Sequence, residues 1–381
     1  MILKNSNYVQ LVKDIIKNNK KIIIYGAGMI GQIIVPYLIK HYHLFEYVDC
    51  FIDADKKKIG KKIIIDHYFY SIKAPEYLYK KRNNIVILVT NSRFFSVISF
   101  LDQIKELNEI EVYLIPLLQI DKTQEIMSVP ITKMYTVQKI PKKIHYCWFG
   151  EKPIPEFLQK CIRSWKENCP DYDIINWNEK NYDVNQHSYT KEAYKKKMYG
   201  FVSDFARLDI LYHYGGIYFD TDVNVLRNLD DLLYQDAFVG VEKWGNINTG
   251  GGCGFTAGHP MLKEMIEYRE QFLFIEKDGS LNIETNGIYE TIPFLNFGFF
   301  PNNSIQKICD VIIYPFYVFH PYDYISCMVQ KREDTYSIHH FYGSWIEEKE
   351  QKNQENTQKE YLFILKRIEE GGYPKNYSKK E

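Results

Sequence analysis

The sequence predicts an α/β chain with two domains, on three observations. Short continuous apolar runs alternate with segments of helical spacing through the first third of the chain. A glycine turn joins the first of those runs to a helix. After a polar interval a second α/β pattern opens, and at its centre an apolar run ends on Asp-Thr-Asp.

Residues 8–19, "YVQLVKDIIKNN", place Val9, Leu11, Val12, Ile15 and Ile16 at helical spacing. The next stretch, "KKIIIYGAGMIGQIIVPYLIK", reads as a buried strand over Ile22 to Tyr25, a glycine turn and a helix. Further strands are expected in "EYVDCFIDADKKKIG", "NNIVILVTNS" and "EIEVYLIPLL", uninterrupted apolar runs of the kind found in parallel sheets. Together they predict a doubly wound domain over residues 1–120. Residues 121–139 are polar and weakly patterned, a linker; residues 140–346 form the second domain; residues 347–381 form a charged helix and tail, expected to be peripheral.

Formal net charge is zero over 381 residues, with 48 basic and 48 acidic side chains. That removes the electrostatic argument for nucleic acid as a partner. Seven cysteines with no C-x-x-C pair argue against a zinc ribbon or a disulfide framework and suit a reducing cytoplasm. No apolar run approaches the ~20 residues of a membrane helix. A cytoplasmic protein is expected, with peripheral attachment to the inner face of the plasma membrane left open.

Gly26, Gly28 and Gly31 fit G-x-G-x-x-G between a strand and a helix, and Asp53 follows at the end of the next strand. In that context glycines let the backbone approach a pyrophosphate while a carboxylate takes a ribose hydroxyl. The domain is therefore expected to be Rossmann-like, and an NAD-type nucleotide is its candidate ligand. Tight strand-to-helix packing alone requires the same glycines.

In the second domain, "MYGFVSDFARLDILYHYGG" reads as an apolar helix stopped by Gly215 and Gly216. Asp204 and Arg207 lie three apart on one face of it. Charges on so apolar a helix are costly unless paired or functional. The run "GIYFDTD" then reads as a strand whose alternation points Asp220 and Asp222 the same way. Two adjacent carboxylates repel unless a cation lies between them, and a hard divalent ion takes carboxylate and phosphate oxygens together.

The stretch "FVSDFARLDILYHYGGIYFDTDVNVLRNLDDLL" resembles the sugar-binding region of DXD-containing glycosyltransferases of family 32, which include yeast mannosyltransferases and bacterial capsule enzymes and are distantly related to clostridial toxin glucosyltransferases. The similarity runs from "IPKKIHYCWFG" through "INTGGGCGFTAGHP" to "IHHFYGSW". The resemblance implies a GT-A fold, a nucleotide-diphosphate sugar donor and a divalent metal, Mn²⁺ or Mg²⁺, with retention of anomeric configuration. It also implies roles. Trp148 stacks on the base, Asp204 and Arg207 grip donor hydroxyls and phosphate, Tyr218 flanks the donor, Asp220 lies near ribose and metal, and Asp222 is a direct ligand. Asn248 in the glycine-rich segment is a donor contact. In the toxin relatives a segment ending in tryptophan closes over the diphosphate; Trp345 matches it, Ser344 is a phosphate contact, and His340, five residues before Trp345, is the matched metal ligand, with His339 as its competitor. An imidazole suits Mn²⁺, although the toxins carry a carboxylate there.

These residues point to a retaining hexosyltransferase using a UDP-sugar. Its expected acceptor is a growing surface glycan such as capsular polysaccharide or lipopolysaccharide, or its lipid-linked oligosaccharide precursor. Front-face displacement is the default mechanism. Two competing readings are an NAD-dependent sugar-nucleotide oxidoreductase or epimerase working through the first domain, and a non-catalytic scaffold of a capsule assembly complex. The complete set of donor-site positions in the second domain argues against both.

Overall fold

The computed structural model describes residues 1–4, 6–28, 30–80, 83–91, 94–118, 134–324, 328–342 and 348–374. The chain divides into two compact units, Met1–Glu125 with Glu348–Glu381, and Ile126–Glu347.

The first unit is built on seven strands: β1 (Ile2–Lys4), β2 (Lys21–Tyr25), β3 (Val48–Ile52), β4 (Lys62–Ile65), β5 (Tyr68–Lys73), β6 (Ile85–Val89) and β7 (Glu111–Leu114). They lie in the order β1-β7-β6-β2-β3-β5-β4, parallel throughout except for the β4/β5 pair at one edge. The apolar runs become the central strands because both sheet faces are covered: Ile23, Ile24, Val86 and Ile87 are wholly buried. Helices α1 (Tyr8–Lys17), α2 (Val35–His41) and α3 (Phe95–Leu101) connect strands, and α4 (Ile115–Leu118) follows β7. Strand order reverses between β2 and β6, the switch point beside which ligands of such sheets bind.

In the second unit β8 (Lys143–Cys147), α5 (Glu156–Asn168), β9 (Asp173–Trp177), α6 (Ser188–Lys195) and α7 (Tyr199–Tyr214) lead to β10 (Gly216–Tyr218) and β11 (Val223–Val225). There follow β12 (Ala237–Val241), β13 (Ile247–Phe255), α8 (Pro260–Arg269), α9 (Asn286–Asn296), β14 (Gln306–Ile308), β15 (Val311–Tyr314) and α10 (Phe316–Phe319). Two short pairs complete it: β16 (Tyr322–Asp323) with β17 (Met328–Val329), and β18 (Ser337–His339) with β11. Its mixed sheet runs β14-β15-β12-β13-β10-β8-β9. Residues 134–139, the described part of the expected linker, lie against this unit, where the Tyr135 amide donates to Tyr234 O and the Lys139 amide to Leu233 O.

The final helix, α11 (Glu348–Glu369), packs on the first unit rather than standing at its periphery. Tyr361, Ile364 and Arg367 recur at helical spacing and are all buried. Arg367 is bidentate on Asp102, with nitrogen–oxygen distances of 2.6 and 2.9 Å, and donates to Met1 O and Gly372 O. A charged composition hid an apolar stripe and one fully paired arginine.

Candidate metal and donor site

Strand β10 ends at Tyr218, and Asp220-Thr221-Asp222 forms a turn into β11, closed by the Val223 amide donating to Asp220 O at 3.1 Å. The two aspartates therefore converge through a turn, not through the alternation of an extended strand. One carboxylate oxygen of each lies within 4.8 Å of the other and of a nitrogen of His339. His339 Nε2 is 3.3 Å from Asp222 Oδ1 and 3.9 Å from Asp220 Oδ2.

The structure brings His339, not His340, to the aspartates. His339 is the last residue of β18 and pairs with Val223, which sets it beside the turn; the next side chain is directed elsewhere by alternation. The His340 ring instead lies 5.1 Å from Phe157 and 6.3 Å from Tyr322, while its amide donates to Asp222 O. Phe341, at φ 48°, stacks on His339 at 4.0 Å. The Tyr342 amide donates to Asp222 Oδ2 at 2.7 Å. Ser344 and Trp345 lie outside the described residues.

Burial would raise the Asp222 carboxyl, but the His339 ring and the Tyr342 amide outweigh it and hold it low. Burial would lower His339, and the two aspartates outweigh that in turn. His339 Nδ1 is buried with no hydrogen-bond partner among the described residues. Two carboxylates and an imidazole drawn together fit a hard or borderline divalent cation such as Mn²⁺ or Mg²⁺.

Beside this cluster Arg207 is 4% exposed. Its Nη2 lies 2.5 Å from Asp204 Oδ1 and 3.2 Å from Asp220 Oδ1, and its guanidinium stands over the Tyr218 ring at 5.1 Å. The Tyr218 hydroxyl donates to Asp220 Oδ1. Asp220 is thus shared between Arg207 and the candidate metal position. Asp204 is pushed up by burial, against the opposing pull of Arg207.

The glycine-rich segment is strand β13, interrupted at the site. Pairing with β12 jumps from Val239↔Cys253 to Gly240↔Asn248, so Thr249 to Gly252 bulge out unpaired. A Cβ on Gly250 would stand 2.1 Å from Asp220 Oδ2 and 2.8 Å from Arg207 Nη1; one on Gly251 would meet the buried His320 ring at 2.1 Å. The glycines leave the space that Asp220, Arg207 and His320 occupy. Asn248 accepts from the Gly250 and Gly251 amides, shaping the bulge from within. Trp148 follows β8, half-buried, its indole donating to Lys152 O.

Two residues around the site escaped the sequence reading. His320 is fully buried, with Nε2 3.2 Å from Asn248 O. Glu290 on α9 faces Arg207 Nη1 at 4.0 Å, and burial pushes its carboxyl up to about 7 despite Arg207 and the Thr249 donors. An acid inside the apolar run "GIYETIPFLNF" was the available signal, the same one that marked Asp204 and Arg207.

In the first unit, Gly26, Gly28, Gly31 and Asp53 do meet at the carboxyl end of β2. Asp53 accepts from the Ala27 amide at 2.8 Å, from the Asp55 amide at 2.8 Å and from Lys58 Nζ at 3.2 Å. A Cβ on Gly31 would stand 2.0 Å from Gly26 O. A Cβ on Gly26 would stand 2.4 Å from the Thr90 hydroxyl, whereas one on Gly28 would meet nothing within 4 Å.

Residues 155–239 match the family described as the glycosyltransferase sugar-binding region containing the DXD motif. Over 139 residues the chain is 32% identical to inositol phosphoceramide mannosyltransferase 3 of Schizosaccharomyces pombe, covering 35% of this chain and 38% of that protein. It is 27% identical over 187 residues to inositol phosphoceramide mannosyltransferase 1 of the same yeast, covering 45% and 56%. The matches therefore span about half or less of those two relatives. Among solved structures, the PaToxG glycosyltransferase aligns with 42% of this chain and 72% of its own at 17% identity, with a TM-score of 0.32. No helix among the described residues is long and apolar enough to cross a membrane. The matched stretch, residues 155–239, holds Asp204, Arg207, Asp220 and Asp222.

Proposed function

We propose that the second unit transfers a sugar from a nucleoside-diphosphate sugar, UDP-linked in the first instance, to a surface glycan or its lipid-linked precursor, with retention and with a bound Mn²⁺ or Mg²⁺. The observation that carries this reading is the convergence of Asp220, Asp222 and His339 on one point beside the Arg207 guanidinium. The cation would neutralise charge developing on the diphosphate.

The chain's own residues do the rest. Asp222 and His339 would hold the cation, and Asp220 would divide its carboxylate between that cation and Arg207. Arg207, buried among carboxylates, presents a positive edge to phosphate oxygens in a low-dielectric pocket, where such contacts favour charge separation most. Asp204 would accept from donor hydroxyls. Trp148, half-buried just after β8, would stack on the base. In the transfer the anomeric carbon–oxygen bond to the β-phosphate breaks with its electron pair on the diphosphate. An acceptor hydroxyl forms the new bond on the same face and gives up its proton to the departing β-phosphate oxygen.

The two yeast relatives are named for mannosyl transfer to inositol phosphoceramide, so mannose donors and lipid acceptors belong in the test beside UDP-sugars. The test incubates the protein with UDP-, GDP- and CMP-sugars, follows released nucleotide, and reads the anomeric configuration of the product by NMR. Release from one donor with the donor's configuration kept supports the reading. Absence of binding and release across the panel, with the protein folded, overturns it.

A further inference from the structure

Helix α9 lies beyond residues 155–239 and brings one carboxylate, Glu290, beside Arg207. Glu290 is 1% exposed, and a carboxylate so buried needs several donors or a counter-charge. The Thr249 amide donates to Oε2 at 2.7 Å, and the Thr249 hydroxyl and Asn286 Nδ2 both donate to Oε1. Oε1 also lies 4.0 Å from Arg207 Nη1. The two halves of the guanidinium therefore face different partners: Nη2 faces Asp204 and Asp220, and Nη1 faces Glu290. Thr249 is in addition the first residue of the glycine bulge, and the next residue, Gly250, leaves the space that Asp220 and Arg207 fill.

We infer that Glu290 is a positioning residue that holds Arg207 and the glycine bulge in one fixed arrangement for the donor diphosphate. The inference rests on the donor reading of this site. With Glu290 anchored by Thr249 and Asn286, Arg207 cannot turn both nitrogens onto Asp204 and Asp220. Its fork stays oriented toward the donor side of the site. A planar guanidinium acts through orientation as much as charge, so a loosened Arg207 loses most where phosphate charge develops.

Glu290→Gln tests this, because the amide keeps the size and one acceptor oxygen while removing the charge that faces Arg207. It is combined with Arg207→Lys in a double-mutant cycle, with donor kcat and KM, the Mn²⁺ dissociation constant by electron paramagnetic resonance, and the urea midpoint measured for each variant. The expected result is a fall in kcat of about tenfold or more in E290Q, with donor KM and Mn²⁺ affinity each within about threefold, and a further loss of under about twofold when E290Q is added to R207K. An undiminished loss in the R207K background, or no loss in wild type, overturns the inference. If E290Q does not fold, Asn286→Ala loosens the same carboxylate and carries the cycle instead. If wild type releases nucleotide from no donor, the proposed function fails on its own, and the cycle is read on the urea midpoints: additive shifts overturn the coupling of Glu290 to Arg207, and non-additive shifts support it.

Discussion

The two glycine-rich stretches of this chain share a pattern and differ in what their glycines touch. In "GAGMIG" the missing Cβ of Gly31 makes room for the carbonyl of Gly26, and the neighbouring carboxylate of Asp53 is satisfied by two backbone amides and Lys58. In "TGGGCG" the missing Cβ atoms of Gly250 and Gly251 make room for Asp220, Arg207 and His320, and the carboxylates there lean on an imidazole and a shared guanidinium. Glycine spacing thus reports close approach in both places. What is approached separates a packing device from a chemical site.

Substitution of those glycines sharpens the comparison most. Gly250→Ala drives a methyl group into Asp220 and Arg207, so donor turnover should fall by about a hundredfold or more, since small misplacements of catalytic groups cost that much. Gly31→Ala should destabilise the first unit by about 1–3 kcal/mol through overpacking, seen as an earlier urea transition, while donor turnover of the folded protein stays unchanged. Equal losses of turnover in both variants would erase the distinction.

The histidine pair gives the next effect. His339→Ala should weaken Mn²⁺ binding by about tenfold or more, measured by titration, whereas His340→Ala should change it by less than about threefold. The reverse ranking would restore the ligand that the resemblance pointed to.

The smallest effect concerns pH. The folded-state carboxyl of Glu290 is raised to about 7 by burial, and the unfolded chain releases the same proton near its ordinary value of 4.5. Between those values the folded state binds a proton that the unfolded state has lost. Stability from this group is therefore full below about pH 4.5 and falls as pH rises towards about 7. E290Q should show a shallower decline of its urea midpoint over that window than wild type; parallel curves would remove Glu290 as the cause.

Much of the first unit was legible because its strands are buried on both faces, and uninterrupted apolar runs such as "IVILV" have few other uses. The acid and base on the apolar helix α7 were legible by their cost, since Asp204 and Arg207 had to be paired or used. The turn at Asp220 to Asp222 was misread as strand because Phe219 continues the apolar run, yet the convergence of the carboxylates survived the error. The choice of His339 depended on the register of β18 against β11, a pairing across more than a hundred residues that local sequence does not encode. Glu290 and His320 reach the site from α9 and from the end of α10, and only the folded sheet brings them to β13.

The central claim is that Asp220, Asp222 and His339 form a cation site on which donor cleavage depends. The most direct measurement is nucleotide release from the preferred donor over a Mn²⁺ titration, in wild type and in Asp222→Asn, with folding of both confirmed by their urea transitions. The account predicts saturable, Mn²⁺-dependent release in wild type and a loss of about a thousandfold in Asp222→Asn, as expected when a metal ligand to a developing diphosphate is removed. Release that ignores Mn²⁺, or that Asp222→Asn leaves intact, would contradict it.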